Sequence, residues 1–356
     1  MKKLRPATVM VVTAVWAASM VFAAEPAPKK KQLGIATYSV KGLESDIEGA
    51  FKSLQSDGYA VMEISNYNAR NRTVAGYSPA EYAALASTYG MDIISSHARA
   101  KFDVKDVEGT LAAWGQIFDD HKALGCKYVV FPMNFWSSDV EQLKSECDLM
   151  NRVGEEANKR GLKFGYHNHS MEFEMVEGTD QLLEDFLITH TDPEKVFFQM
   201  DVFWVTQGGQ DPVTYLKKYP DRFKVLHIKD DYVIGESGKI DFEAIFKQFY
   251  KNGHQDWFVE IEEYMTEEQR AQMQAMMARM RERQRQDGQQ QGQGGPPQGQ
   301  PGEGDGSPQA RQGGQGGPPP GGPPRRSPEE ESKRLTTALD AISKSAAYLS
   351  DAKFVK

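Results

Sequence analysis

The stretch Arg160–His169, R-G-L-K-F-G-Y-H-N-H, contains one helix-to-strand junction and the polar end of the strand that follows. Gly161 stands where the preceding helical segment ends, since glycine readily adopts the left-handed conformation that closes helices. Leu162–His167 is typical of a short strand. His167 and His169 lie at its end, on one face of an extended chain. The recurrence of this unit along the chain predicts the fold.

Eight segments have the character of short strands, and helical segments separate them. The strand candidates are Leu33–Tyr38, Tyr59–Ile64, Asp92–His97, Tyr128–Met133, Leu162–His167, Val196–Asp201, Phe223–Ile228 and Trp257–Ile261. The helical candidates are Ile47–Ser56, Pro79–Tyr89, Asp106–Leu124, Glu141–Arg160 and Phe242–Tyr250. Four strands follow a glycine, at Gly58, Gly90, Gly125 and Gly161. Eight β-α alternations in about 235 residues predict an α/β protein with a (β/α)8 TIM barrel. The rival, an open doubly wound sheet, needs a glycine-rich turn after its first strand, and Lys41-Gly42-Leu43 is not one.

The barrel is predicted to cover residues 32–264 as a single domain, with three further regions around it. Residues 1–24 combine a basic start with the apolar run Ala7–Ala23, which predicts a secretory signal peptide and a secreted or periplasmic location. A retained membrane anchor is the alternative. Residues 265–328 are predicted to hold a charged helix, Thr266–Arg285, and a disordered Gln/Gly/Pro-rich insertion, Gln286–Pro324. Residues 329–356 are predicted to supply the last barrel helix, Glu329–Leu349.

Composition narrows the class of partner. The formal net charge of -8 argues against a nucleic-acid surface, which needs clustered Lys and Arg. A small polar molecule is expected instead, and a homo-oligomer stays open. After signal cleavage, no apolar run is long enough to span a bilayer. The two cysteines, Cys126 and Cys147, are too few for a disulfide framework and are expected to be buried free thiols.

Charged and imidazole side chains lie at the carboxyl ends of six strand candidates, and these ends meet at the mouth of a barrel. They are Glu63, His97, His167, His169, Asp201, His227, Lys229, Glu260 and Glu262. Burying so many charges without a cation is costly. Mixed imidazole and carboxylate ligands therefore predict a divalent metal ion, and they suit Mn²⁺, Co²⁺, Zn²⁺ or Fe²⁺ better than Mg²⁺.

Four motifs resemble, in their order, the xylose isomerase-like (β/α)8 superfamily, and more closely its secreted sugar phosphate isomerase/epimerase branch. They are G-Y-H-N-H-S-M-E-F at 165–173, Q-M-D-V-F-W at 199–204, V-L-H-I-K-D at 225–230 and F-V-E-I-E-E-Y at 258–264. The resemblance implies that His167, Asp201, His227 and Glu260 hold the metal. Epimerases of this superfamily usually have glutamate where His167 stands, so a mechanism with two symmetric carboxylate bases is in question here.

Such a site favours loss of a proton next to a carbonyl group, because a divalent cation stabilises the resulting enediolate. The base is expected to be Glu260 or His169, with Lys229 and His97 contacting substrate oxygens. Further substrate contacts are expected from Glu63, Trp136 and Trp204. The alternatives are that Glu63 caps a loop, that Lys229 pairs with Asp230 or Asp231, and that the tryptophans are core residues. Glu172 is expected to order its loop through a hydrogen bond.

The leading functional hypothesis is an exported, metal-dependent sugar isomerase or epimerase that acts on a small sugar or glycoside. The second is a lyase that uses the same site to cleave 3-keto-glycosides by β-elimination. The third is a non-catalytic carbohydrate-binding protein of the envelope, in which the insertion is the functional part. Endonuclease activity is disfavoured by the acidic charge and the lack of a basic groove.

Overall fold

The structure, a computed structural model, describes residues 31–263 and 326–356, and between them Glu268, Ala271, Gln272, Ala275, Met276 and Arg279. Eight parallel strands close into a barrel in which each strand pairs with the next and the last pairs with the first. The strands are β1 Leu33–Ala36, β2 Tyr59–Ile64, β3 Asp92–His97, β4 Tyr128–Phe131, β5 Lys163–His167, β6 Val196–Asp201, β7 Phe223–Ile228 and β8 Asp256–Val259. The predicted (β/α)8 TIM barrel is confirmed.

Nine α-helices lie wholly within residues 31–263 and 326–356 and cover the outside of the barrel. They are α1 Ile47–Asp57, α2 Pro79–Thr88, α3 Val107–Leu124, α4 Val140–Lys159, α5 Leu183–His190, α6 Val202–Gln207, α7 Pro212–Lys218, α8 Phe242–Lys251 and α9 Pro328–Asp351. The sequence did not predict the three short helices α5, α6 and α7. Where a helix was predicted, polar side chains cap its first turn, as Asp106 does by accepting from the Gly109 N–H of α3.

The glycines that precede four strands have the predicted backbone conformation. Gly58, Gly90, Gly125 and Gly161 all have positive φ, between 67° and 96°. Side chains with a Cβ rarely adopt this conformation, so glycine ends these helices at little cost and turns the chain into the next strand. The junction at Arg160–Gly161 therefore recurs as a structural unit.

The C-terminal helix α9 completes the outer layer. It begins with a capping box between Ser327 and Glu330 and packs against α1. The hydroxyl of Tyr59 in β2 donates to the carbonyl of Ile342 at 3.1 Å, which ties α9 to the barrel. The predicted signal peptide, most of the predicted helix Thr266–Arg285 and the predicted insertion Gln286–Pro324 lie outside the described residues.

The barrel interior changes from apolar to polar along the strands. Phe197, Val225 and Phe258 form an apolar cluster inside the barrel. Two residues further along the chain from each stand Gln199, His227 and, just past β8, Glu260, and side chains two apart in an extended chain share a face. The fold thus carries polar groups to the carboxyl ends of the strands.

Cys126 and Cys147 are both buried and free, as predicted. Among the described helices, none combines the length and apolar character that a membrane crossing requires.

Candidate metal and substrate site

Three of the four predicted metal ligands converge at the mouth of the barrel. Asp201 of β6, His227 of β7 and Glu260 after β8 each offer one ligand atom, and these atoms lie within 4.8 Å of one another. All three side chains are buried. The fourth predicted ligand, His167 of β5, has its Nε2 atom 4.0 Å from Oδ2 of Asp201. His167 also forms a second group of possible ligand atoms within 4.8 Å, with His97 and His227. The structure therefore groups three of the four predicted ligands and places His167 beside them.

Asp201 divides its two carboxylate oxygens between the fold and the site. Oδ1 accepts the backbone N–H groups of Phe203 and Trp204 at 2.9 and 3.0 Å and so caps α6. Oδ2 is buried and has no hydrogen-bond partner within the described part of the chain. Burial raises the pKa of Asp201 to about 7, although Lys229 acts in the opposite direction. A buried carboxylate oxygen without a hydrogen-bond partner is available to bind a metal ion.

His227 stands between two carboxylates. Its Nε2 lies 2.6 Å from Oε1 of Glu63, and its Nδ1 lies 2.9 Å from Oε2 of Glu260. The second contact lacks the alignment of a hydrogen bond. Burial disfavours the imidazolium, but Glu63 and Glu260 outweigh it and raise the pKa of His227 to about 10. Both carboxylates therefore attract positive charge to this position.

Lys229 is a buried cation at the same mouth. Its Nζ donates to Glu260 at 2.9 Å and to Glu262 at 2.8 Å. Burial would raise the pKa of Glu260, but Lys229 and His227 hold it well below its usual value. The alternative partner Asp230 instead accepts backbone N–H groups of its own loop. Lys229 therefore faces the site.

Carboxylates outnumber cations among the charged side chains at the barrel mouth. Its acids are Glu63, Asp201, Glu260 and Glu262, and its cations are Lys229 and, when protonated, His227. Uncompensated negative charge in a buried cluster is expensive. The excess charge and the unpaired oxygen of Asp201 fit a divalent cation.

A layer of hydrogen bonds lies directly behind these groups. Glu63, 1% exposed, accepts from Ser95 Oγ at 2.6 Å and from Gln199 Nε2 at 2.8 Å. Burial would raise the pKa of Glu63, but His97 and His227 lower it to about 2. The sequence predicted that Glu63 contacts a substrate hydroxyl. In the structure its oxygens instead contact the neighbouring side chains of Ser95, Gln199 and His227.

Sequence reasoning missed Gln199, which is fully buried at the centre of this layer. Its Oε1 lies 2.7 Å from His97 Nε2 and 3.0 Å from His167 Nδ1. Its spacing from Asp201 could have indicated a position near the site, because Gln199 stands two residues before Asp201 and shares its face of β6. The rings of His97 and His227 are stacked with centroids 5.0 Å apart.

The remaining predicted residues lie around the cluster. The ring of His169 is 5.0 Å from that of His167 and 5.7 Å from that of Trp204. Burial is the main cause and the charge of Lys229 the second cause that together lower the pKa of His169 to about 3. Its imidazole is therefore neutral at pH 7. Lys229 Nζ lies 4.8 Å from the Trp204 ring centroid. Trp136 is half-buried and donates from Nε1 to the hydroxyl of Tyr166 at 2.9 Å.

Glu172 orders the loop after β5, as predicted. Its carboxylate accepts the hydroxyl of Tyr166 at 2.6 Å and the backbone N–H of His169 at 2.7 Å. These two bonds hold the segment that carries His169 against the end of the barrel strand.

Comparison with known proteins identifies the family of this barrel. The family model of the xylose isomerase-like TIM barrel matches residues 51–283. The chain belongs to this family. Inosose dehydratase of Lacticaseibacillus casei is 24% identical over 261 residues, which cover 61% of this chain and 82% of that protein. A solved sugar phosphate isomerase/epimerase from Parabacteroides distasonis is 26% identical, with a TM-score of 0.69, and the match covers 94% of this chain and 100% of that one.

A further solved structure, of the IolI protein with a bound zinc atom, shares the fold. It is 17% identical with a TM-score of 0.50, and the match covers 65% of this chain and 88% of that one. The resemblance to the xylose isomerase-like TIM barrels, inferred from four motifs, is thus confirmed. Members of this superfamily are sugar-modifying enzymes, among them isomerases, epimerases and dehydratases.

Proposed function

We propose that this chain is a metal-dependent enzyme of the sugar isomerase or epimerase type. It removes a proton from a carbon next to a carbonyl group of a sugar or a related cyclic polyol. The observation that carries the proposal is the convergence of Asp201, His227 and Glu260 at the barrel mouth, with an unpaired buried oxygen on Asp201.

The metal would be held by His167, Asp201, His227 and Glu260. When bound, a divalent cation stabilises the negative charge that develops on the substrate's carbonyl oxygen. Two imidazoles and two carboxylates favour Mn²⁺, Co²⁺, Zn²⁺ or Fe²⁺ over Mg²⁺. The zinc atom in the IolI structure supports a transition metal in this fold.

The proton acceptor is Glu260 or His169. Glu260 is ionised, because Lys229 and His227 hold its pKa well below the usual value. His169 is neutral and its ring lies 5.7 Å from that of Trp204. Lys229 is placed to hold a substrate oxygen. Its ammonium group is fixed at the mouth by two carboxylates and has three N–H donors. His97 is proposed for a similar contact, and Trp204 for packing on the sugar ring.

A second candidate is elimination from a keto-sugar or 3-keto-glycoside. Loss of the proton is the same step, and a leaving group two atoms from the carbonyl carbon then departs with the electron pair. Two observations favour it. The relative from L. casei is named a dehydratase, and β5 supplies histidine rather than the second carboxylate base that symmetric epimerisation uses. A cavity of about 430 Å³ beside Glu262, lined also by Lys41, Tyr232 and Lys333, offers space for the rest of a glycoside.

Deuterium labelling separates these outcomes. The purified chain, loaded with Mn²⁺ or Zn²⁺, is incubated in D₂O with keto-sugars and with 3-keto-glycosides. Deuterium in an isomerised sugar supports the isomerase, and release of an aglycone supports the lyase. If metal is absent, and His167→Ala and Asp201→Ala change neither reactivity nor ligand binding, both enzyme proposals are wrong. Carbohydrate binding without turnover would then favour the non-catalytic envelope protein.

Export is proposed separately. The basic start and the apolar run Ala7–Ala23 support a cleaved signal peptide. Fractionation of cells that express the full chain, with mass spectrometry of its N-terminus, tests this. A mature N-terminus near residue 25 in the secreted or periplasmic fraction supports export, and an intact Met1 in the cytoplasm contradicts it.

A further inference from the structure

We infer that Glu63 and Gln199 are positioning residues that set the protonated nitrogen of two metal-binding histidines. This inference rests on the proposed metal site. It assigns to Glu63 and Gln199 the task of leaving Nε2 of His167 and Nδ1 of His227 free to bind the metal, on the side of Asp201 and Glu260. Neither residue contacts the proposed substrate position, because both are buried behind the histidine rings.

Glu63 fixes the orientation of His227 because an ionised carboxylate can only accept hydrogen bonds. Its Oε2 receives Ser95 Oγ and Gln199 Nε2, and its Oε1 lies 2.6 Å from His227 Nε2. His227 Nε2 must therefore carry a proton. In the neutral imidazole, the lone pair is then on Nδ1, which is the atom that lies 2.9 Å from Glu260 Oε2.

The same carboxylate fixes the amide of Gln199. Its NH₂ group must face Glu63, so its carbonyl Oε1 faces the histidines at 2.7 Å from His97 Nε2 and 3.0 Å from His167 Nδ1. A carbonyl oxygen only accepts, and therefore His167 carries its proton on Nδ1. The lone pair of His167 is left on Nε2, which lies 4.0 Å from the unpaired oxygen of Asp201.

One accepting carboxylate thus determines the two ring nitrogens at which the metal binds. Outer hydrogen bonds of this kind fix the tautomer and ring orientation of metal-binding histidines, and their loss typically weakens metal affinity by about 10–100-fold. Gln199→Leu removes the acceptor for His167, and Glu63→Gln places NH₂ donors where the layer needs acceptors. Each variant is expected to weaken Zn²⁺ binding by about 10–100-fold.

Two measurements on the full-length chain test the inference. Nitrogen-15 NMR of the histidine rings is expected to show His167 protonated on Nδ1 in the metal-free wild type. In the Zn²⁺-loaded wild type, His227 is expected to be protonated on Nε2. Competition against a chelator gives the Zn²⁺ affinity of wild type, Gln199→Leu and Glu63→Gln. Gln248→Leu, a change on the outer helix α8 where Gln248 bonds Asn252, is the matched control and is expected to bind Zn²⁺ like wild type.

The outcomes distinguish this inference from the proposed function. A wild type that binds no divalent metal contradicts the metal site, and the tautomer of His167 still tests the role of Gln199. A wild type that binds metal through the opposite nitrogens overturns the inference alone. The inference alone is also overturned if Gln199→Leu and Glu63→Gln fold and bind Zn²⁺ with wild-type affinity. If a variant does not fold, the wild-type NMR spectra decide, because they need no substitution.

Discussion

Asp201 Oδ2 and Lys229 Nζ lie 3.9 Å apart, although both side chains are buried at the barrel mouth. Lys229 donates instead to Glu260 and Glu262, and Asp201 keeps one oxygen unpaired. An isolated ion pair would close to hydrogen-bond distance, whereas a metal ligand must leave its oxygen free. The separation therefore supports a ligand role for Asp201.

Substitutions at Asp201 are expected to separate its two functions. Asparagine is a good helix cap, so Asp201→Asn keeps the bonds to Phe203 and Trp204 and removes a buried carboxylate. We expect its metal-free form to unfold no more easily than wild type, whereas Asp201→Ala loses about 1 kcal/mol. Both variants should lose more than about 100-fold in metal affinity, because a direct ligand matters more than an outer one. Urea unfolding measures stability, and Zn²⁺ competition measures metal affinity. If Asp201→Asn is less stable than Asp201→Ala, Asp201 does not combine a capping role with a ligand role in this way.

The two tryptophans are expected to respond differently to phenylalanine. Trp204 lies beside His169 and under Lys229, so Trp204→Phe should raise KM by about 3-fold or more with a smaller change in kcat. Trp136 donates to Tyr166, so Trp136→Phe should cost about 1 kcal/mol of stability and change KM less. Steady-state kinetics and thermal unfolding of both variants provide the comparison. Equal changes in KM would show that both rings contact the substrate.

The sequence predicted the barrel and the set of strand-end residues for identifiable reasons. Glycines such as Gly161 mark four of the helix-to-strand junctions, and period-two spacing places His167 with His169. How far along its strand each polar side chain lies, and therefore whether it reaches the mouth of the barrel, was harder to predict. Glu63 precedes the last residue of β2, whereas Glu262 lies beyond the end of β8. One is therefore buried behind the histidines and the other is at the mouth, although both are strand-end glutamates.

The role of Gln199 could not be predicted, because a neutral amide in a buried strand gives no charge signal. Only the contacts with Glu63 and His167 show what it does. The helices α5, α6 and α7 were missed for a different reason. They contain eight, six and seven residues, which is too short for a clear helical period.

Stability is expected to fall below neutral pH because of His121. This buried residue of α3 lies 2.7 Å from the carbonyl of Ile117 and 2.8 Å from the hydroxyl of Ser96. Burial lowers its pKa from 6.5 to about 4. Since the unfolded chain takes up the proton first, stability is complete above pH 6.5 and decreases as the pH falls towards 4, by about 3 kcal/mol in total.

Urea unfolding of wild type and His121→Asn between pH 7.5 and about 4 isolates this contribution. The stability advantage of wild type over the variant should shrink by about 3 kcal/mol across the range. His254→Asn, at a partly exposed histidine, serves as the control for other titrating groups. A difference between wild type and His121→Asn that stays constant with pH would show that His121 is not the cause.

Closure of the barrel is expected to depend on Gly34. A Cβ at this position in β1 would lie 2.0 Å from the carbonyl oxygen of Trp257 in β8. Because backbone cannot move aside easily, Gly34→Ala should cost about 3 kcal/mol or more. Gly115→Ala on α3 is the control, since its nearest neighbour is the flexible side chain of Arg160 and alanine favours a helix. Chemical denaturation of both variants measures the difference, and a Gly34→Ala variant as stable as Gly115→Ala would contradict this packing.

Metal-dependent removal of a proton next to a carbonyl group is tested most directly by solvent exchange. The rate of deuterium uptake at that carbon is measured by NMR in D₂O, with a keto-sugar or 3-keto-glycoside substrate. The same enzyme is assayed as purified, after chelation, and after Mn²⁺ or Zn²⁺ is restored. We expect exchange that disappears on chelation, returns with metal, and stays absent in Asp201→Asn. Exchange that continues at the same rate without metal, or in Asp201→Asn, would contradict the proposed function.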